Sequence, residues 1–322
     1  MTKAYYFSAV GGGSPIDAAK LISMFSHDED ASLKGNDDIR TFIPVIAIPT
    51  TLSAAETTQN AGYTKDGKKV STSHPALAPR VIICDAKLTL ATPHRLWISS
   101  GMRAVDHAIE MLYRPDPSPI LRPAELGSLR ELFHLLPATN KNPDDLNIRQ
   151  TLQVIALASL WPESRKGAIG LSHGLGHALG ATYSIPHGIT SCITLAKSIE
   201  LTATLPSTPI EQLLALSDAL DLIPAPYNPS PSPLGLPSSI LASQSGDELK
   251  QTVEKARKRG VEVGKAVQRL VDNLGLHTTL KSSNVPENDL DTIAHHVAQG
   301  NEDMHSAVLG MLRGMYIDDG KL

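Results

Sequence analysis

Three histidines lie close together in a glycine-rich stretch of the sequence, GLSHGLGHALGATYSIPHG (170–188). His173 and His177 are four residues apart, so on an α-helix they share one face. Pro186 is placed to turn the chain so that His187 comes back toward them, and the small residues of the stretch allow a ligand or another helix to approach. Such histidine groups bind metals or transfer protons, so we predict a site here, although a lone histidine is usually structural.

A fourth histidine, His107, joins these candidates through the stretch SGMRAVDHAIE (100–110). Arg103 precedes His107 by four residues and shares its helical face, whereas Asp106 points about 100° away. We interpret Asp106 and Glu110 as helix-surface or helix-capping charges. The predicted cluster therefore consists of Arg103 and the four histidines.

A second candidate site is the turn Gly11–Ser14 (GGGS). The backbone N–H groups of a turn without bulky side chains, and of the helix after it, can contact a phosphate or pyrophosphate. The turn departs from the G-x-G-x-x-G pattern because Ile16 takes the place of the third glycine, and a simple tight turn is the alternative. Ser14 suits the N-cap of the following helix, with Pro15 in the first position and Asp17 able to reach back to the cap.

A run of hydroxyl groups follows the next apolar segment, in PTTLSAAE (49–56). It comes at the carboxyl end of a predicted parallel strand, where open α/β sheets bind ligands. The signal is weak on its own, since threonine and serine also cap helices.

The elements that would position both sites change type along the chain. Short apolar runs predict buried strands of a parallel sheet at 4–10, 42–49 and 81–85, and an Asp-Gly turn predicts a hairpin at 62–73. After residue 93 helical patterns take over. The expected helices span 95–114, 122–136, 146–160, 165–181, 188–203, 209–220, 247–273, 288–298 and 304–315.

The chain is therefore predicted to be α/β and then all-α, with two domains. Residues 1–93 form a truncated, parallel-sheet dinucleotide-binding domain, and residues 94–322 form a helical catalytic domain. The segment 224–238, which contains six prolines, is interpreted as an exposed loop.

Composition excludes several classes of protein. The 29 Lys and Arg against 33 Asp and Glu give a formal net charge of −4, so no overall positive field is available to hold nucleic acid. Only Cys84 and Cys192 are present, which fits a reducing compartment without disulfides. No apolar run approaches the ~18 residues of a membrane span, and no signal sequence is visible. We expect a cytoplasmic protein without nucleic-acid or membrane partners.

These segments together resemble the iron-containing alcohol dehydrogenase superfamily, and in particular its maleylacetate reductase-like branch, over essentially the whole chain. The resemblance implies a dehydroquinate synthase-like fold, in which a nucleotide-binding α/β domain precedes a helical domain. It rests on GGGSPIDAAK (11–20), IPTTLSAAETT (48–58), the Lys-Lys pair before HPALAPRVIICD (74–85), SGMRAVDHAIE (100–110), GLSHGLGHALGATYSIPHG (170–188) and LGLHTTLKSSNVPENDLDTIA (274–294).

The resemblance implies a nicotinamide cofactor, NAD or NADP, bound across the glycine turn. Gly12, Gly13 and Ser14 would hold its pyrophosphate. The other expected cofactor-binding residues are Asp17 beside the turn, Thr50, Thr51 and Leu52 on the nicotinamide ribose side, and Lys69 near the ribose or phosphate groups.

The metal-dependent members of the superfamily hold iron or zinc with one aspartate and three histidines. His107, His173 and His187 match the three histidines, and His177 matches a histidine placed for proton transfer. Arg103 occupies the position of the aspartate, where its permanent positive charge would repel a divalent ion. In the maleylacetate reductase-like branch a neutral residue replaces that aspartate and catalysis is thought to proceed without metal. We therefore do not expect iron or zinc here.

Two roles for Arg103 stay open. In the first, Arg103 pairs with a carboxylate of an acidic substrate or polarises the substrate carbonyl, while His173 or His177 gives the proton as hydride arrives. In the second, Arg103 fills a former metal pocket by pairing with a nearby acid.

The glycine turn comes early for this family, whose members have further βα units before it. Residues 1–93 then supply about three parallel strands, short of a complete doubly wound sheet. Such a sheet has an exposed edge unless another chain covers it. We expect a homodimer, with this edge as one place of contact.

Three functions fit these observations. The first is an NAD(P)H-dependent reductase of a carboxylated ketone or enone, such as maleylacetate, that works without metal. The second is a non-redox enzyme on the same fold, a dehydratase, decarboxylase or cyclase, that uses the histidines and Arg103 for acid–base catalysis. The third is a non-enzymatic protein that binds a partner through the sheet edge.

Overall fold

The chain has the predicted order of an α/β part followed by a helical part. The computed structural model describes residues 5–33, 35, 38–65, 68–114, 120–161, 169–228 and 246–316, without the side chains of 64–69. The proline-rich loop predicted at 224–238 lies outside the described residues from 229 onward.

In the described part of the chain, five strands form two small sheets. Three of them make the predicted parallel sheet in the order β1-β2-β5, and the other two pair antiparallel as the predicted hairpin. The strands are β1 (Phe7–Gly11), β2 (Val45–Pro49), β3 (Asn60–Lys65), β4 (Lys68–Ser73) and β5 (Val81–Ile82).

Helix α1 (Gly13–Glu29) covers one face of the parallel sheet, where Ile16 and Ala47 are completely buried. The opposite face is open: Val10, which pairs with Ile48 of β2, is 51% exposed. Within the described part of the chain, β1 has a strand neighbour on one side only. Because parallel sheets are normally covered on both faces, this face is unusual.

The start of α1 differs from the prediction. The N-cap is Gly12 and not Ser14, and no side chain caps the helix among the described residues. The chain turns earlier because Gly11 adopts φ +144°, a conformation that other residues rarely reach. Asp17 does not reach back to the cap; its carboxylate accepts a hydrogen bond from the Gly62 N–H at 3.0 Å.

The hairpin is fastened to α1 by a buried lysine. The Lys20 side chain is completely buried, and its Nζ donates to the carbonyl oxygens of Thr58 at 2.9 Å and Asn60 at 2.7 Å. These bonds explain why a charged residue lies within the apolar side of the helix.

The helical part contains every helix that the sequence predicts, together with a short one, α2. None of the described helices has the length and apolar character needed to cross a membrane. The helices are α2 (Ala86–Thr89), α3 (His94–Leu112), α4 (Arg122–Lys141), α5 (Leu146–Ser159), α6 (Leu171–Tyr183), α7 (His187–Thr204), α8 (Ile210–Leu222), α9 (Gly246–Asn273), α10 (Leu290–Ala298) and α11 (Glu302–Tyr316).

Two predicted helix ends are wrong. Helix α4 continues through Pro137 to Lys141, and its last turn is anchored where Trp97 Nε1 donates to Thr139 Oγ1 at 3.3 Å. Helix α6 begins at Leu171 and not at residue 165, because the chain just before it is extended at Gly170.

The loop after β2 joins the two parts. Leu52 is completely buried in the main helical core, and its N–H donates to Ser100 Oγ of α3 at 2.9 Å. The carbonyl of Pro49 accepts from Gln153 Nε2 of α5 at 2.9 Å. The hydroxyl run is therefore held between the sheet and the helices.

Candidate active site

The four predicted histidines form one cluster. The ring centroids of His107 and His173 are 5.6 Å apart, those of His173 and His177 are 4.8 Å apart, and those of His177 and His187 are 5.5 Å apart. The row runs from the core to the surface, since His107 is completely buried and His177 is exposed. The predicted return of His187 toward the α6 pair is confirmed.

Close helix packing makes this cluster possible. Helices α3, α6 and α7 meet here, and a Cβ on Gly188 of α7 would collide with the backbone of Ser99 in α3. A Cβ on Gly180 would lie 3.3 Å from the His187 ring, and one on Gly176 would lie 3.4 Å from Nη1 of Arg103. The small residues of α6 therefore admit the side chains of the neighbouring helices, as the sequence suggested.

Arg103 lies inside the cluster and is only 4% exposed. Its Nη2 is 2.7 Å from Nδ1 of His173. Its Nη1 donates to Asp106 Oδ2 at 3.0 Å and to Ser191 Oγ at 3.1 Å. Because a guanidinium has only donors, the ring nitrogen of His173 that it contacts must accept.

Asp106 is a buried counter-ion, which corrects the prediction of a surface charge. Its side chain is completely buried, and Oδ2 accepts from Arg103, from Ser172 Oγ at 3.1 Å and from Ser191 Oγ. The pairing of Arg103 with a nearby acid, which the second role assumed, is present. Burial alone makes an ion pair costly, but these added hydroxyl donors help to offset the cost.

Glu110 caps a helix, as predicted, but it does so from the interior. Its carboxylate accepts the N–H groups of Ser172 at 2.8 Å and His173 at 3.0 Å, and the hydroxyl of Tyr113 at 2.9 Å. A Cβ on Gly170 would lie 2.5 Å from this carboxylate, which explains the glycine. Burial and the nearby Asp106 raise the pKa of Glu110 to about 8.

The inner histidines are held in the neutral form. Burial, and then the Arg103 charge, place the pKa of His107 and of His173 well below the usual value. Neither ring nitrogen of His107 has a hydrogen-bond partner among the described residues. At neutral pH these two rings are therefore acceptors or ligands and not proton donors as imidazolium.

The donor set suits a divalent cation poorly. His107, His173 and His187 bring ring nitrogens, but the guanidinium of Arg103 lies against His173 inside the same group. The carboxylate closest in sequence to His107 is that of Asp106. Its Oδ2 atom is already bonded to Arg103 and to two hydroxyls. A metal ion here would meet a fixed positive charge, so these residues do not fit one.

The predicted cofactor crevice lies where the glycine turn meets the hydroxyl run. The Thr50 N–H donates to the Gly11 carbonyl at 2.9 Å, and a Cβ on Gly12 would lie 3.1 Å from Cγ2 of Thr51. A Cβ on Gly13 would meet no atom within 4 Å. Because no described side chain caps the start of α1 and there is space beside Gly13, the backbone N–H groups there can bind an anion. The residues therefore fit a pyrophosphate.

Two of the predicted cofactor residues have other partners, and a third lies outside the described side chains. The side chain of Leu52 is buried in the helical core and its N–H is bonded to Ser100, so neither is free to contact a ribose. Asp17 binds Gly62 N–H and lies 3.4 Å from Lys20 Nζ. The side chain of Lys69 lies outside the described residues.

Sequence reasoning missed two residues at these sites. Ser191 bonds both Arg103 and Asp106, and Glu56 lies behind the hydroxyl run with 1% of its surface exposed. The spacing of Asp106 three residues after Arg103 was a usable signal for the ion pair, since residues at i and i+3 are neighbours on a helix.

Comparisons with known proteins point to one family. Residues 2–86 match the family model described as iron-containing alcohol dehydrogenase, and residues 97–231 match the C-terminal model of the same family. Together the two models span most of the chain.

Among curated proteins, the chain is 34% identical to a maleylacetate reductase of Rhizobium sp. (strain MTP-10005), over 59% of this chain and 50% of that protein. It is also 34% identical to a dehydrogenase of Gibberella moniliformis, over 60% of this chain and 53% of that protein. The chain thus spans about half the length of the curated relatives it matches.

Solved structures share the fold. The crystal structure of the Rhizobium maleylacetate reductase superposes with a TM-score of 0.70 and 24% identity, over 97% of this chain and 74% of that one. An archaeal alcohol dehydrogenase from a Red Sea brine pool gives a TM-score of 0.74 with 18% identity, over 96% and 76%. In fold and in sequence, this chain belongs to the iron-containing alcohol dehydrogenase family.

Proposed function

We propose that the protein is an NAD(P)H-dependent reductase of a carboxylated ketone or enone, and that a buried arginine takes the place of a metal ion in its active site. The observation that carries the proposal is the position of Arg103, inside the four-histidine cluster and paired with Asp106. The named relatives that are 34% identical include a reductase and a dehydrogenase, which supports redox chemistry.

The cofactor half of the proposal rests on the crevice beside β2. When bound there, a reduced nicotinamide supplies the hydride. The N–H groups at Gly13 and Ser14 would hold the pyrophosphate, because α1 starts there without a side-chain cap among the described residues. The hydroxyls of Thr50 and Thr51 lie at the same edge and would contact the sugar.

The substrate half rests on the remaining donors of Arg103. A guanidinium has five N–H donors, and the contacts to Asp106, Ser191 and His173 use three of them. The remaining donors can stabilise negative charge that develops on a substrate carbonyl oxygen. Since Asp106 balances the charge of Arg103, this stabilisation comes from a neutral, pre-arranged pair. A maleylacetate-like keto acid is the substrate class that the relatives suggest.

His177 is the proposed proton donor. Its side chain is exposed, whereas His107 and His173 are kept neutral by burial and by Arg103. A donor must exchange its proton with solvent in each cycle, so the exposed ring is favoured over the buried ones. His173 then serves to orient Arg103, through the contact of 2.7 Å with Nη2.

The test is a titration of the purified chain with NADH and with NADPH, followed by turnover with maleylacetate after treatment with a chelator. We expect tight binding of one dinucleotide and loss of its reduced absorbance when the keto acid is added. Absence of dinucleotide binding contradicts the proposal. Turnover of an acidic substrate without dinucleotide, lost in His177→Ala, would instead favour the non-redox alternative.

A further inference from the structure

A buried carboxylate stands directly behind the hydroxyl run of the crevice. Glu56 is 1% exposed, and its two oxygens face different hydroxyls. Thr51 Oγ1 donates to Oε1 at 3.2 Å, and Ser53 Oγ donates to Oε2 at 2.7 Å. Both hydroxyl residues are themselves partly exposed.

This arrangement fixes the polarity of the two hydroxyls. A hydroxyl has one proton and two lone pairs, and an ionised carboxylate can only accept. With both protons committed to Glu56, Thr51 and Ser53 present lone pairs to whatever lies in the crevice. They are then acceptors and attract hydrogen-bond donors such as sugar hydroxyls or an amide NH₂.

The glycine turn next to them has the opposite polarity. Its backbone N–H groups are donors, and Gly12 lies so close to Thr51 that an added Cβ would be 3.1 Å from Cγ2. A ligand that contacts both the glycine turn and the two hydroxyls must therefore carry acceptors at one end and donors at the other. A dinucleotide meets this condition, since its phosphates accept and its nicotinamide riboside donates.

We propose that Glu56 is a positioning residue that determines which way round a dinucleotide lies in the crevice, by holding the Thr51 and Ser53 hydroxyls as acceptors. This inference rests on the proposed function, because it assumes that a dinucleotide binds. Glu56 itself touches no ligand; it acts through the two hydroxyls.

The surroundings of Glu56 support an ionised, fixed carboxylate. Two hydroxyl donors stabilise the charged form, and Lys20 of α1 contributes a buried positive charge. Burial opposes them and raises the pKa of Glu56. The left-handed conformation of Ala54, at φ 60°, turns the chain so that Ser53 and Glu56 come within bonding distance.

The test compares NADH with inorganic pyrophosphate as probes for the wild-type protein and Glu56→Gln. The glutamine amide donates to one of the hydroxyls, which turns its own proton toward the crevice. We expect NADH binding to weaken about ten- to a hundredfold, as for a mismatched buried hydrogen bond, while pyrophosphate binding changes less than about twofold. Glu302→Gln, on the exposed start of α11, is the matched control and should change neither.

A second set of variants separates positioning from general damage. Thr51→Val with Ser53→Ala should weaken NADH on its own, and adding Glu56→Gln to it should cause no further loss, because Glu56 acts only through the hydroxyls. The double variant and the triple variant also test the role of the hydroxyls if Glu56→Gln alone does not fold. Equal losses for NADH and pyrophosphate, or additive losses in the triple variant, overturn the inference. Absence of binding of both NADH and NADPH by the wild-type protein overturns the proposed function and this inference with it.

Discussion

The two candidate sites are built in opposite ways. Around Arg103 the charged groups are paired internally: the cation, Asp106, Ser191 and His173 bond to one another in the helical part. At the glycine turn the crevice is open, with an uncapped helix start among the described residues and an exposed sheet face beyond Val10. In the pocket around Arg103 the charge is balanced by Asp106, whereas the crevice at the glycine turn has backbone donors that a ligand can use.

This difference separates two tasks. A site that must hold an exchangeable, charged cofactor benefits from unused backbone donors, because each one gains a partner on binding. A site that must stabilise a transient charge benefits from dipoles already held in place, because nothing reorganises during the reaction. In the proposed function, Arg103 supplies such a fixed charge in the helical pocket.

The difference between the two sites is tested most strongly by removing His177, the proposed proton donor, from the helical pocket. His177→Ala should lower kcat roughly 10²- to 10⁴-fold with maleylacetate, while the dissociation constant for NADH stays within about twofold. Stopped-flow turnover and fluorescence titration measure the two quantities. His296→Ala, exposed on α10, is the matched control, and an unchanged kcat in His177→Ala would remove this residue from the mechanism.

The internal charge balance of the pocket can be tested through stability. Arg103→Leu leaves Asp106 buried without its counter-ion and should lower the free energy of unfolding by about 3–5 kcal/mol. Arg103→Leu with Asp106→Leu should recover much of that loss. Arg40→Leu, which removes an exposed ion pair with Asp38 in the α/β part, should leave the urea midpoint nearly unchanged. Similar losses of stability for the buried and the exposed ion pair would contradict the role assigned to the Arg103–Asp106 pair.

The open crevice should respond to a single added methyl group. Gly12→Ala places a Cβ 3.1 Å from Thr51 and narrows the space beside the helix start, so NADH affinity should fall about tenfold, or ~1.4 kcal/mol. Gly127→Ala in α4 is the control, because its Cβ meets no atom within 4 Å. Calorimetry measures both affinities, and a Gly12→Ala protein that binds NADH normally would show that the turn does not contact it.

A pH dependence of stability is expected from Glu110. Its folded pKa of about 8 lies above the ordinary value of 4.5, so the folded state binds the proton more tightly. Its contribution to stability is complete below pH 4.5 and is lost as the pH rises to about 8. Glu110→Gln should flatten the decline of the melting temperature over this range. If the melting temperature of Glu110→Gln falls with pH as steeply as that of the wild-type protein, the pH dependence comes from other groups.

The sequence was sufficient for the helices and for the histidine cluster because both depend on local spacing. His173 and His177 share a helical face wherever that helix packs, and Pro186 restricts the path that returns His187. Arg103 could be placed with His107 for the same reason. The grouping of His107 with the other three histidines, in contrast, depends on the packing of α3 against α6 and was supported by the family resemblance.

Features that depend on contacts between distant segments could not be predicted in this way. Asp106 is a polar residue on a helix, and only the packing of α7 against α3 brings Ser191 to it. Glu110 reaches the start of α6 because Gly170 permits a close approach. The capping role expected of Ser14 failed because Gly11 turns the chain before Ser14 is reached.

The central claim is that Arg103 stands in place of a metal ion, and metal dependence of turnover tests it most directly. The purified protein is dialysed against a strong chelator, its iron and zinc contents are measured, and NAD(P)H oxidation with maleylacetate is compared before and after. The account predicts an unchanged rate at metal contents far below one ion per chain. A rate that falls to background after chelation and returns with added iron or zinc would contradict it.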